Sequence, residues 1–333
     1  MRKKWTFLVP VAALLPILLW ALLAESSAQQ SVLSAGTGIQ GPEVVLSLPW
    51  GGSGYALGRH DGDEAASEGP ASFVVSPRGE IYVLDQLNSR VLKFADDGTL
   101  EKEIPIPAVT FEDLAVTADG VIVLLDRLVR RSLLLVNERG VILAEYSVEG
   151  YGIPEGGLIT AMFMRDDGVW LEYGHTHVVH VLDSRLQPCG RSVLPGRIFE
   201  RDRTSVFAAT DRQGGARIWI EELATGDVVA EAEIVLAQRI ERIIWIAPDW
   251  DRQLHVLLHV LELDPEEPHE VVADKVVGLR YDAELNELGT FESPYTIKVW
   301  EQFREWYVTE RGVLYQLVVD NDGVTLLRWR WSW

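Results

Sequence analysis

The sequence predicts an all-β chain folded as a six-bladed β-propeller, each blade a four-stranded antiparallel meander. Three observations carry that expectation. From residue 68 onward, short β-branched and aromatic runs alternate with turn signals rich in Gly, Asn, Asp and Pro. Gly79 and Asp85 recur 41 residues later as Gly120 and Asp126, a spacing that local propensity alone does not produce. An isolated apolar run, Glu43 to Leu48, precedes the first full unit, and the last unit stops one strand short.

The first 28 residues stand apart from that pattern. Met1-Arg2-Lys3-Lys4 is followed by an apolar run from Trp5 to Ala24 and by Ser26-Ser27-Ala28, the layout of an export signal with a small-residue cleavage site. The run is also near the length of a membrane span, although Pro10 and Pro16 interrupt it. Residues 1–28 are therefore read as a cleaved signal peptide or an uncleaved anchor, 29–42 as a linker, and 43–333 as a single propeller domain. Both readings place the domain outside the cytoplasm, in the periplasm or secreted, with membrane contact only if the segment is kept.

Composition narrows the partners. With 50 acidic and 30 basic residues the chain carries a net charge of −20, which repels a phosphate backbone and excludes nucleic acid. Cys189 is the only cysteine, so no internal disulfide can form and stability must come from packing. A monomer is expected.

The clearest unit begins at Glu68. Phe73 to Ser76, Ile81 to Leu84, Val91 to Phe94 and Leu100 to Ile104 are four strands separated by Pro-Arg-Gly, Leu-Asn-Ser and Asp-Asp-Gly. Within it, Gly79-x-Ile81-Tyr82-Val83-x-Asp85, then Asn88-x-Arg90-Val91-x-x-Phe94 and Asp97-Gly98, resembles the NHL repeat, a propeller blade. The second unit repeats the pattern from Asp113 to Tyr146. A third, from Ile159 to Leu182, keeps Gly168 but lacks the Asp of the motif.

Beyond residue 200 only alternation survives, and the fourth unit shows three clear strands, so five or seven blades are the alternatives to six. The last unit, from Trp306 to Trp331, also has three strands. Glu43 to Leu48 is expected to complete it by pairing with Val324 to Trp331, which removes the open sheet edge. Most of the twelve Trp residues, among them Trp219, Trp245, Trp306, Trp329 and Trp331, fall on strands, where they either pack between blades or form an aromatic floor at one mouth.

Candidate ligands for chemistry fall into two groups. Glu68-Gly69-Pro70 precedes the innermost strand of the first blade and is similar to the metal-binding Glu-x-Pro of gluconolactonase-like propellers, which implies calcium at Glu68. Their Asn ligands have no counterpart in Phe111-Glu112-Asp113 or Gly157-Leu158-Ile159. His60, Asp61 and Asp63 lie in the acidic loop beside Glu68 and are candidate ligand-binding residues. His175 with His177, and His255 with His259, share a face if each pair lies on a strand, offering a zinc or copper site of the kind that amidating lyases on NHL propellers use. No Gly-x-Ser-x-Gly, Walker loop or dinucleotide fingerprint occurs. The function expected is a noncatalytic binding module for a protein or extracellular ligand, with a metal-dependent hydrolase or lyase as the alternative.

Overall fold

In a computed structural model, residues 39–62, 66–200, 203–267, 269–294 and 300–331 are described. Residues 1–28, read above as an export signal or anchor, residues 29–38 of the expected linker, Asp63 and Trp333 lie outside them. Among the described residues no helix is long and apolar enough to cross a membrane.

Six four-stranded antiparallel sheets form the ring. From the innermost strand outward, blade 1 is Ser72–Val75, Ile81–Asp85, Arg90–Phe94 and Leu100–Pro105. Blade 2 is Asp113–Val116, Ile122–Asp126, Ser132–Val136 and Ile142–Ser147. Blade 3 is Ile159–Arg165, Gly168–Tyr173, His177–Asp183 and Val193–Pro195. Blade 4 is Arg197–Glu200, Thr204–Thr210, Ala216–Glu222 and Val228–Ile234, a complete set where the sequence shows three strands. Blade 5 is Arg239–Pro248, Leu254–Leu263, Val271–Tyr281 and Glu287–Pro294.

Blade 6 has Trp306–Val308, Leu314–Val319 and Val324–Trp331 from the C-terminal end, and Ile39–Leu48 from the other. The closing strand runs antiparallel to Val324–Trp331, with Leu48 opposite Val324, Val44 opposite Leu327 and Ile39 opposite Trp331. It begins before Glu43, inside the stretch read as linker. Arg328 fastens the seam: its Nε and Nη2 donate to Glu43 at 2.9 Å and its Nη1 to Asp96 of blade 1 at 2.6 Å. Gly98 in blade 1 packs on the closing strand so closely that a Cβ there would lie 2.5 Å from the Val45 carbonyl oxygen.

The recurrent motif residues have structural reasons. Gly79 and Gly120 adopt φ of +90° and +86° in the turns between the first and second strands, a region that costs glycine little. Asp85 and Asp126 are buried and hold the turn after the second strand. Asp85 accepts from Gly58 N, Asn88 Nδ2 and Arg90 Nε; Asp126 accepts from Val129 N, Arg130 N and Thr110 Oγ1. In blade 3 the same connection shortens to Gly174-His175-Thr176, with φ of +57° at both Gly174 and His175, and needs no carboxylate to brace it.

Packing between blades is apolar but uneven. Large buried clusters lie between blades 6 and 1, 1 and 2, 2 and 3, and 4 and 5. Blades 5 and 6 are joined by Phe291, Trp306, Trp329 and Trp331. The seam between blades 3 and 4 has only Trp170, Val178 and Ile198 at its buried centre, and it is completed by charge.

Candidate functional site

Innermost strands and, in blades 1, 3, 5 and 6, the turns that follow them line a cavity of about 530 Å³ at one mouth of the channel. Every blade contributes: Arg78 from blade 1, Val116 from blade 2, Phe163 and Arg165 from blade 3, Arg197 from blade 4, Trp245 and Trp250 from blade 5, and Tyr307, Glu310 and Arg311 from blade 6. Seven arginines line it, Arg78, Arg165, Arg197, Arg304, Arg311, Arg328 and Arg330, against five acids, Asp96, Asp166, Asp167, Asp249 and Glu310. Three of these arginines are paired with carboxylates that stand behind the lining, Arg197 with Glu172, Arg304 with Asp113 and Arg328 with Glu43. Burial, with the charge of Asp166, pushes the Glu310 carboxyl above its ordinary value.

At the inner end of the cavity a buried cross-link ties four blades together. Arg304, 5% exposed, donates from Nη2 to Asp113 Oδ2 at 2.5 Å and to Met162 O at 2.8 Å. Asp113, fully buried, also accepts from Ser72 Oγ and from Leu114 N. Burial raises the Asp113 carboxyl, opposed by the charge of Arg304 and the Ser72 hydroxyl. Arg304 also lies 5.6 Å from the centre of the Tyr307 ring, whose phenol burial pushes up to about 12. These residues sit at or near the N-terminal ends of the innermost strands, so the cavity has a charged floor.

One wall is the polar seam between blades 3 and 4. Arg197 spans three blades: Nε and Nη2 fork onto Glu172 of blade 3, and Nη1 donates to Ile246 O of blade 5. Its guanidinium lies 4.7 Å from the Trp245 ring centre and 5.5 Å from that of Phe163. Burial alone would raise the Glu172 carboxyl, but Arg197, His175 and Thr160 hold it far below the usual carboxylate range. A bidentate, stacked guanidinium is rigid, and this one fixes both aromatic faces.

The residues picked out from sequence do not line this cavity. Glu68 lies at the other end of the channel, in the short strand Ser67–Glu68 that runs parallel to Trp300–Glu301. Its N–H donates to His60 O at 2.8 Å, and His60 N–H donates back to Glu68 O. Asp61 accepts from Arg59 Nε at 2.8 Å and from Ser67 Oγ at 3.2 Å. His60, Asp61 and Glu68 are thus brought together, chiefly through backbone bonds, whereas Asp63 falls outside the described residues.

The histidine pairs divide. His175 and His177 do not share a strand face: His175 stands in the turn, 70% exposed, with Nδ1 3.1 Å from Glu172, and His177 opens the next strand with Nε2 2.9 Å from Gly152 O. His255 and His259 do share the strand Leu254–Leu263, but each meets its own carboxylate, Asp249 and Asp274, at 3.0 Å. Among the described residues no group of three or more His, Cys, Asp or Glu side chains is arranged to hold a metal ion.

Sequence reasoning missed Arg197, Arg304 and Asp113. The available signal was a charged residue beside an apolar run: Asp113 precedes Leu114-Ala115-Val116, and Arg197 precedes Ile198-Phe199. Buried charges must be paired, so such positions announce a partner without identifying it. The tryptophans divide by place. Trp306, Trp329 and Trp331 pack between blades, and Trp245 lines the mouth.

No family model matches the chain, and no curated protein is similar to it in sequence. Among solved structures, a member of the duf4221 family from Bacteroides vulgatus is similar with a TM-score of 0.52 and 13% identity, over 89% of this chain and 99% of that one. Hydrazine synthase from Kuenenia stuttgartiensis aligns at a TM-score of 0.47 and 17% identity over 79% and 76% of the two chains. Virginiamycin B lyase from Staphylococcus aureus aligns at 0.42 and 12%, over 78% and 94%. Identities this low speak to fold alone. The chain is a six-bladed, all-β propeller closed by its N-terminal strand.

Proposed function

We propose that this chain is an exported, noncatalytic propeller of NHL-like blades that binds a ligand outside the cytoplasm, in the mouth lined by residues of all six blades. The observation that carries the reading is the cavity itself. Its volume of about 530 Å³ falls in the range of small-molecule sites, roughly 300–1,000 Å³, and all six blades build it.

The wall is pre-organised for binding. Arg197 is locked between Glu172 and two rings, and the Ser76 and Thr309 hydroxyls are spent on turns. Ser76 Oγ donates to Glu80 and accepts from Arg78 N and Glu80 N, while Thr309 Oγ1 accepts from Val313 N. Rigid walls cut the entropy lost on association.

The test compares the purified chain with its Trp245→Ala variant after incubation with an envelope extract. A compound retained by the parent and released on denaturation, but absent from the variant, is the expected outcome. Equal retention by both removes the mouth from the account. Turnover of a lactone that Glu68→Gln abolishes would replace binding by catalysis.

A further inference from the structure

We infer that the cavity floor is a receptor for the anionic group of an organic acid whose apolar or aromatic body lies against the wall above it. This deepens the reading of the mouth as a binding site and rests on it. The carrying observation is Arg304. A buried guanidinium has five N–H donors that all require acceptors, and here only Nη2 is engaged, by Asp113 Oδ2 and Met162 O. Nε and Nη1 have no acceptor among the described residues, yet the side chain is 5% exposed and lines the cavity.

Asp113 supplies the counter-charge through Oδ2, while the Ser72 hydroxyl and the Leu114 N–H hold its Oδ1. These bonds hold Arg304 in place, so its open donors are fixed before any ligand arrives. Nε–H and Nη1–H stand on different edges of the guanidinium, and each offers one charge-assisted hydrogen bond to an anionic oxygen. At the rim Arg78 and Arg311 are exposed, adding positive charge on the approach.

The wall supplies the second half of the match. Phe163 and Trp245, 5.8 Å apart between ring centres, together with Val308 and Ile246, give an apolar side adjoining the charged floor. A cavity of about 530 Å³ has the size of a small-molecule site, roughly 300–1,000 Å³, and favours a small molecule over a strand or helix of a partner.

The test uses two fluorescent probes of like shape with the purified full chain. Anilinonaphthalene sulfonate carries the anion, and phenylnaphthylamine is its neutral counterpart. The expected result is that the sulfonate binds the parent at least about tenfold more tightly than the neutral probe, the worth of a charge-assisted hydrogen bond. Arg304→Gln should erase that preference and leave the neutral probe within about twofold.

Because Arg304→Gln leaves Asp113 buried and unpaired, the double variant Asp113→Asn with Arg304→Gln serves as the neutral pair and should behave alike. Equal binding of both probes by the parent overturns anion recognition while leaving the mouth as a binding site. Undiminished sulfonate preference in the folded double variant also overturns it. If neither probe binds the parent, the mouth itself is not a binding site and both readings fall together.

Discussion

The two ends of the channel use charge to opposite effect. At the end that carries Glu68, polar groups satisfy one another: His60 and Glu68 exchange backbone hydrogen bonds, Asp61 is taken by Arg59 and Ser67, and the Gln86 side-chain amide is spent on Gly69 O and Ala71 N. At the other end Arg304 uses only Nη2 within the protein, and it lines open volume. The first arrangement holds a chain entry in place. The second stores recognition capacity, since a fixed donor without an acceptor gains from any ligand that supplies one. The face with the exposed, metal-like residues is thus the quieter one.

The comparison breaks most easily at the cavity floor. Asp113→Ala leaves Arg304 as an uncompensated buried charge and should cost about 3–5 kcal/mol, read as a fall in the urea midpoint. The neutral pair Asp113→Asn with Arg304→Gln should restore most of it. A loss below about 1 kcal/mol would show that the floor does not tie the blades. Next comes Trp245→Ala, which removes one of two rings against Arg197 and should cost about 2 kcal/mol by the same measurement, without unfolding the chain at neutral pH.

A smaller effect follows from the ion pairs that rim the cavity face. Glu138 of blade 2 accepts from Lys93 at 2.9 Å, from Lys102 at 3.1 Å and from the Tyr82 hydroxyl at 3.2 Å, linking blades 1 and 2. Donation from Lys93, opposed by burial and aided by Lys102, lowers its carboxyl from 4.5 to about 2. A depressed carboxyl binds fewer protons folded than unfolded, so its contribution is fully present above pH 4.5 and is lost as pH falls through about 2. Glu138→Gln should therefore lower the melting temperature at pH 6, and the gap to the parent should close toward pH 2. A gap constant over that interval would remove Glu138 from the acid response.

The smallest expected change sharpens the contrast from the other end. Glu68 contributes its backbone to the pairing with His60, so Glu68→Gln should alter stability by no more than about 0.5 kcal/mol. A calcium-dependent melting temperature in the parent that this variant lacks would return chemistry to the Glu68 end.

Legibility in the sequence followed local necessity. Gly79 and Gly120 are visible because their turns need positive φ, and Asp85 and Asp126 because each braces a four- or five-residue connection with its own carboxylate. Blade 4 is less visible because its innermost strand, Arg197–Glu200, is parted from the outer strand of blade 3, Val193–Pro195, by Gly196 alone. In the sequence the two read as one run, and only the left-handed turn at Gly196, φ +63°, divides them between sheets.

The sequence by itself determined the all-β class, the repeated blade and the closing strand. Turn chemistry and alternation act between neighbours in the chain, and an unpaired edge demands a partner wherever it lies. Only the tertiary structure decided where the site is. Each blade offers the mouth a few residues, and the pairs that matter are distant, Arg304 and Asp113 by 191 positions and Arg197 and Ile246 by 49. Which charges meet, and which donors are left facing open space, depends on how the ring brings six innermost strands around one axis. No local pattern encodes that.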